Sequence, residues 1–376
     1  MRILITGNMG YLGPVVVRRL RQSFPDATLI GFDMGYFAGC LTTPEVFPES
    51  WVDVQYFGDV RKISSELLHH VDAVVHLAAI SNDPMGSTFA DVTFEVNHRA
   101  SVRVARFAKE AGVRSFVFAS SCSVYGHCDG DAKSEDDPVS PLSPYAQSKA
   151  MTELDLSLLA DKTFAVTCLR FATACGMSDR LRLDLVLNDF IASALACGFI
   201  SILSDGTPRR PLIHVSDIAH AIVWAVIRKR SEGDDFLVVN IGSDEMNYQL
   251  KDLADAVAKV IANVGVTINK HAQPDKRSYQ VSFAKFAALA PEYAPQISLQ
   301  EAIADMTEGL AAINFADTNF RESKFNRLSI MNQLKSLALL TDDVEWTHGR
   351  GHKSVPYPAS RNPEGELFGM RGLSIG

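Results

Sequence analysis

Cysteine is scarce and spaced for no metal: six residues (Cys40, Cys122, Cys128, Cys168, Cys175, Cys197) lie scattered through 376 positions. That pattern argues against a zinc site or a disulfide framework and suits free thiols in a reducing compartment. No uninterrupted apolar run is long enough to span a bilayer. No long basic run offsets the formal net charge of −8, so neither nucleic acid nor an anionic membrane is an expected partner. Internal repeats and low-complexity tracts are also missing. Arg2-Ile3-Leu4-Ile5 already reads as a strand, so no leader is expected and the cytoplasm is the expected location. What remains is an ordinary composition, 47% hydrophobic and 21% charged, with length for a sizeable core and two domains. An anionic substrate stays admissible, because a few local arginines suffice to hold a phosphate.

Short apolar runs alternate with amphipathic segments through the first half. Ile3 to Thr6, Thr28 to Phe32, Ala73 to Leu77, Ser115 to Ala119 and Ala165 to Arg170 read as strands. Leu12 to Gln22, Phe89 to Ala111 and Tyr145 to Leu159 carry helical periodicity. Unbroken apolar strands alternating with helices predict an α/β fold, a doubly wound parallel sheet covered on both faces. Past Cys175 the pattern loosens. Helices are expected at Leu183 to Gly198, Ile218 to Arg228, Leu250 to Val264 and Leu299 to Phe315. Short strands are expected at Phe199 to Leu203, Leu212 to Val215 and Leu237 to Ile241. The expected organisation is a dinucleotide-binding domain over 1–174, with 216–242 returning to it. A smaller C-terminal α/β substrate cap takes 175–215 and 243–346, and a tail 347–376 follows. Gly349 to Gly376 is rich in Gly, Pro and Arg without periodicity.

Thr6-Gly7-Asn8-Met9-Gly10-Tyr11-Leu12-Gly13 follows the first strand and opens a helix, the context a dinucleotide fingerprint requires. Gly7 serves the tight turn, Gly10 the close approach of a pyrophosphate, and Gly13 close packing. The helix end supplies free N–H groups and a positive dipole. Asp33 ends the next strand, where a carboxylate accepts both hydroxyls of an adenine ribose. No arginine follows it in Met34-Gly35-Tyr36, which favours NAD over NADP. Asp59 is placed for the adenine, or is a turn carboxylate. Leu77-Ala78-Ala79 gives small residues at a strand end, where the cofactor backbone passes. Asn97 either organises a backbone or water contact near the site or faces solvent.

Tyr145 and Lys149 lie one helical turn apart in Ser-Pro-Tyr-Ala-Gln-Ser-Lys and share a helix face. Ser121, in Ala-Ser-Ser-Cys-Ser-Val-Tyr-Gly, falls at a strand's carboxyl end, where a parallel sheet exposes its ligands. A phenol with its ordinary pKa of about 10 is too weak an acid to serve as a base at neutral pH. An ammonium held nearby lowers it, as does the charge of an oxidised nicotinamide. Ser121 is placed to hydrogen-bond the reacting oxygen. Tyr125 reads as packing.

These motifs, with His-Leu-Ala-Ala and Asp-Gly-Thr-Pro-Arg-Arg-Pro-Leu-Ile-His-Val-Ser-Asp, resemble the extended short-chain dehydrogenase/reductases of the NAD-dependent epimerase/dehydratase family. The resemblance covers roughly residues 1–315. It implies a catalytic triad of Ser121, Tyr145 and Lys149. Tyr11, Leu12, Val60 and Ser120 join Gly7, Gly10, Gly13, Asp33, Asp59, Leu77, Ala78, Ala79, Asn97, Tyr145 and Lys149 as expected cofactor contacts. It also implies a nucleoside diphosphate sugar as substrate and a homodimer built on the helices Phe89 to Ala111 and Tyr145 to Leu159, whose apolar faces equally suit core packing.

By the same resemblance Arg210 falls on a position that grips the diphosphate. Arg277 stands evenly between a second such arginine and a solvated charge. Arg180 and Arg182 are expected in the same cleft. Asn188 is either a sugar or phosphate contact or a helix-surface residue. His214 and Asp217 are expected to brace the cap against the sheet. The family's hexose 4,6-dehydratases carry Asp and Glu after the catalytic serine, where this chain has Cys122 and Ser123. That disfavours 4,6-dehydration. Cys122 is either a buried packing residue, the preferred reading, or a group acting at a second sugar carbon. The leading expectation is a nucleotide-sugar epimerase acting at C4. The alternatives are a net oxidoreductase on the same substrate class and a non-catalytic NAD-sensing scaffold.

Overall fold

Unbroken apolar strands pay off as a seven-stranded, wholly parallel sheet. The computed structural model describes residues 1–43, 47–128, 130–229, 234–269, 272 and 278–347. Arg277 and the tail 349–376 named above therefore lie outside the described residues. The strands in chain order are β1 (Arg2–Thr6), β2 (Thr28–Asp33), β3 (Val54–Phe57), β4 (Ala73–His76), β5 (Ser115–Ser121), β6 (Ala165–Phe171), β7 (Thr173–Cys175), β8 (Phe199–Ile202), β9 (Arg209–His214), β10 (Phe236–Ile241), β11 (Asn247–Gln249) and β12 (Gly265–Ile268). The α-helices are α1 (Gly13–Ser23), α2 (Asp83–Thr88), α3 (Ala90–Phe94), α4 (Ser101–Glu110), α5 (Pro144–Ser157), α6 (Val186–Cys197), α7 (Val215–Ile227), α8 (Leu250–Val260), α9 (Ala284–Leu289), α10 (Leu299–Ala312) and α11 (Arg327–Ser336).

The sheet order is β10-β6-β5-β4-β1-β2-β3. Strand order therefore reverses at β1, and the crevice outside the carboxyl ends of β1 and β4 is where such a sheet binds ligands. Apolar clusters fill both faces. One includes Ile3, Ile5, Val75 and Trp224, and the other Leu4, Phe32, Phe116 and Val166. β4 is buried at every position, as a central parallel strand must be. A third cluster joins α6, α8 and α10 through Leu187, Ile191, Leu253 and Ile303. Beside it lie a three-stranded sheet β11-β9-β7 and a parallel pair β12-β8. Among the described residues no helix is long and apolar enough to cross a membrane.

Two expectations change, and one strand carries no sequence signal. The helix read over Phe89 to Ala111 is α3 and α4 joined by a π-helical stretch, Glu95–Ala100. The wide turn frees the Asn97 carbonyl, which accepts from Ser101 Oγ at 2.7 Å and Thr152 Oγ1 at 3.0 Å. The helix read over Leu250 to Val264 stops at Val260; Asn263 turns to φ 60°, and Gly-Val-Thr-Ile leaves as β12 against β8. β3 carries no apolar run, because it is an edge strand with no fully buried residue.

Candidate active site

The turn between β1 and α1 is built for close approach. Gly7 holds φ +74°, and a Cβ there would sit 2.5 Å from the Ala78 nitrogen, so the loops after β1 and β4 touch backbone to backbone. A Cβ on Gly13 would fall 1.9 Å from the Asn8 carbonyl oxygen. Leu12 precedes α1 without any side-chain cap, leaving the first helical amides to a ligand. Asp33 turns into the same space. Its Oδ1 accepts from the Gly35 N–H at 2.7 Å and its Oδ2 from the Met9 N–H at 3.0 Å, while burial pushes its pKa up.

Asp59 lines the same cavity as Asp33, and its side chain also serves its own turn. Its carboxylate takes the Arg61 guanidinium, Nη2 to Oδ2 at 2.6 Å, and caps the short helix at Val60. Arg61, unread in the sequence, also donates to the Asp343 carbonyl at 2.9 Å.

The catalytic candidates converge at the end of β5. Ser143 caps α5, accepting from the Ala146 N–H at 3.2 Å, and Pro144 sits in its first turn. Tyr145 and Ser121 line this same cavity, close enough for the serine hydroxyl to lower the phenol's pKa. Lys149 Nζ donates to the Ala119 carbonyl at 2.6 Å and lies 5.8 Å from the centroid of the Tyr145 ring. Burial pushes the Tyr145 phenol up to about 12, against the Ser121 hydroxyl, which lowers it. Burial pulls the Lys149 ammonium down to about 7, against Glu153, which raises it. In the protein alone, the expected lowering of Tyr145 by Lys149 is not among the causes acting on the phenol; loss of water around it dominates.

Behind them Glu153 pairs with Arg170, Nη2 to Oε2 at 2.6 Å, and accepts from Ser120. Tyr125 packs there as expected, its hydroxyl bonded to Asn240 Oδ1 at 2.8 Å.

One cavity of about 840 Å³ runs past Gly7, Asp33, Ser121, Tyr145, Lys149 and Arg210. Gly10, Tyr11, Leu12, Asp59, Val60, Leu77, Ala78, Ala79 and Ser120 also line it. Asn97 does not; its buried amide holds the loop after β4 through the Ile80 N–H (2.8 Å) and carbonyl (2.9 Å). Arg210 lies 5.6 Å from the Tyr279 ring centroid, and Arg182, buried against Asp184, donates to Ser81 Oγ at 3.0 Å.

Two expected substrate contacts, Arg180 and Asn188, sit behind the wall instead, and Cys122 takes the packing role preferred for it. Arg180 is fully buried on Glu49, Nη1 to Oε1 at 2.6 Å. Asn188 spends its amide on the Gly176 N–H, the Tyr11 hydroxyl and the Arg182 carbonyl. Cys122 is buried with its Sγ on the Arg170 carbonyl at 3.1 Å. Their partners are remote in sequence, so no local signal separates wall from lining. Ser123 was missed: it lines the cavity, and its buried Oγ has no partner among the described residues. His214 and Asp217 brace neighbouring segments, the first at Asp305 and the second at the Gln296 and Ile297 amides.

The model of the NAD dependent epimerase/dehydratase family matches residues 3–242. The chain belongs to this family. A Bacillus subtilis (strain 168) protein named as an uncharacterized UDP-glucose epimerase, YtcB, is 29% identical over 260 residues, 67% of this chain and 79% of that one. A UDP-glucose 4-epimerase of Neisseria gonorrhoeae is 30% identical over 254 residues, 61% of this chain and 74% of its own length. Among solved structures, MoeE5 in complex with UDP-glucuronic acid and NAD aligns with a TM-score of 0.70 at 25% identity, covering 83% of this chain and 99% of that one. As a family member the chain is an NAD-dependent enzyme of the extended short-chain dehydrogenase/reductase type. Its residues fit NAD: Asp33, held by two amides, suits a ribose diol, and the uncapped α1 end suits the pyrophosphate.

Proposed function

We propose that this chain is a nucleotide-sugar epimerase that inverts C4 of a UDP-sugar, working in the cytoplasm as a homodimer. One observation carries the reading: Ser121, Tyr145 and Lys149 meet in a cavity that also reaches Asp33 and Arg210. NAD supplies the hydride acceptor, and on the return its donor. Tyr145 takes the proton of the sugar hydroxyl and gives it back. Ser121, beside the phenol in the cavity, holds the reacting oxygen. Lys149 keeps a positive charge near the phenolate that forms. Arg210 holds the diphosphate from the β9 side, with its fork suited to two phosphate oxygens. Positions 122 and 123 offer no carboxylate for elimination, and burial holds the Cys122 thiol far above its ordinary pKa. Relatives and solved neighbours named for UDP-sugars support the substrate class.

The test is incubation with candidate UDP-sugars without added NAD, followed by sugar analysis and nicotinamide absorbance. Epimer formation with a flat absorbance trace is expected. Product formed only with stoichiometric NADH would instead assign net oxidation. Tyr145→Phe is expected to lose at least a hundredfold in rate, in the range for a removed acid–base group, while still binding NAD.

A further inference from the structure

Four arginines among the described residues are buried: Arg170, Arg180, Arg182 and Arg327. The first three each hold a carboxylate, Glu153, Glu49 and Asp184 respectively. Arg327 holds none among the described residues. Its Nη2 donates to the Arg180 carbonyl at 2.7 Å, and its guanidinium carbon lies 4.4 Å from the centroid of the Phe37 ring. Its Nη1 is buried and has no hydrogen-bond partner among the described residues. Burial pulls its pKa down to about 10; Arg182 and Arg180 add repulsion, while the Cys40 thiol and the more distant Asp184 carboxylate offset part of it. A desolvated guanidinium with an idle donor is costly to keep unless an anion completes it.

The cavity is where that anion arrives, since Arg327 lines it. Two diphosphates enter there, that of NAD and that of the substrate. Arg327 opens α11 and stacks on Phe37, in the loop that follows Asp33. Asp33 marks the adenosine ribose, so this position lies on the cofactor side. Arg210 stands elsewhere, on β9 against Tyr279. We propose that Arg327 completes the cofactor site by giving its Nη1 to the pyrophosphate of NAD. The residue comes from outside the 3–242 stretch that the family model matches, so α11 adds a cofactor contact to the shared fold. Around it, Trp346 Nε1 donates to the Met34 carbonyl at 2.7 Å, and Met331 and Val344 pack on Ile80 and Met85. The inference rests on NAD as cofactor and is independent of which sugar reaction follows.

Calorimetric titration of the nucleotide-free full chain with ADP-ribose, adenosine and UDP tests it. In Arg327→Met the affinity for ADP-ribose is expected to fall roughly tenfold to a hundredfold, the range for a hydrogen bond to a charged group. Adenosine and UDP binding should stay within experimental error of the parent, and Arg327→Lys should recover part of the loss. A loss confined to UDP overturns the proposal and gives Arg327 to the substrate. Equal losses for adenosine and ADP-ribose also overturn it, since packing through Phe37 would then be the whole effect. No change in any ligand overturns it as well. Should Arg327→Met fail to fold, Arg327→Lys decides through the same ratio of ADP-ribose to adenosine. All three titrations omit sugar turnover, so failure of the epimerase assay and failure of this proposal are read separately.

Discussion

Lys149 enters the folded chain at a cost that depends on pH. Unfolded, its ammonium has the ordinary pKa of about 10.4; folded, burial holds it at about 7. Between those values the unfolded chain binds more protons than the folded one, so stability rises with pH across the window. Below about pH 7 the penalty is fully present, because folding then keeps a charged amine out of water. Lys149→Met removes the titrating group. The variant should therefore unfold at a higher temperature than the parent near pH 7, by an amount on the order of a few kcal/mol, and the gap should close toward about pH 10. Thermal unfolding midpoints across that range measure it, and parallel curves for the two proteins would sink the argument. Under the proposed mechanism the variant gains stability and loses activity. This lysine and Tyr145 were legible in the sequence because their one-turn spacing came together with Ser121 and the glycine turn. Arg61, Ser123 and Arg327 were not legible, because what distinguishes each is a partner, or the lack of one, in three dimensions.

α5 has two faces, and each does something different. Tyr145, Lys149 and Glu153 recur every four residues on the face toward β5 and β6. Glu153 ties that face to β6 through Arg170, in a pair buried on both sides. Glu153→Ala leaves the Arg170 guanidinium buried without its carboxylate. That should cost about 3–5 kcal/mol in denaturant unfolding, the usual penalty for breaking a buried pair. A loss within 1 kcal/mol would show that the Arg170 bond to the Tyr125 hydroxyl carries the guanidinium by itself. Helices such as α1 and α5 announced themselves through periodicity, and Ser143 and Pro144 start α5 just where Tyr145 was expected to begin it. The π turn did not, since its sequence keeps helical periodicity and the bonds Asn97 makes to Ile80 are not local in sequence. α11 went unread for another reason, because its ten residues bury only Arg327 and Met331 and show little apolar stripe.

At the scale of the whole molecule, the other face of α5 bears on assembly. Met151, Leu154 and Leu158 are exposed on the side opposite Tyr145 and Lys149. Helical spacing aligns them into one apolar strip, and strips of this kind mark contact surfaces when neighbours extend them. α4 packs beside α5. Two copies meeting about a two-fold axis would set α4 and α5 of one against those of the other, burying the strip on both sides at once. The face bearing Tyr145 and Lys149 stays turned to the sheet, so such an assembly would leave both in place and brace the helix that carries them. Size-exclusion chromatography with light scattering should give twice the chain mass for the parent. Leu154→Glu places a carboxylate at the centre of the strip on each copy, and like charges facing across a desolvated contact oppose association. A single chain mass with an unchanged far-ultraviolet spectrum is the expected result. A parent that elutes as a monomer, or a Leu154→Glu variant that remains dimeric, would place the interface elsewhere and leave the strip to another partner.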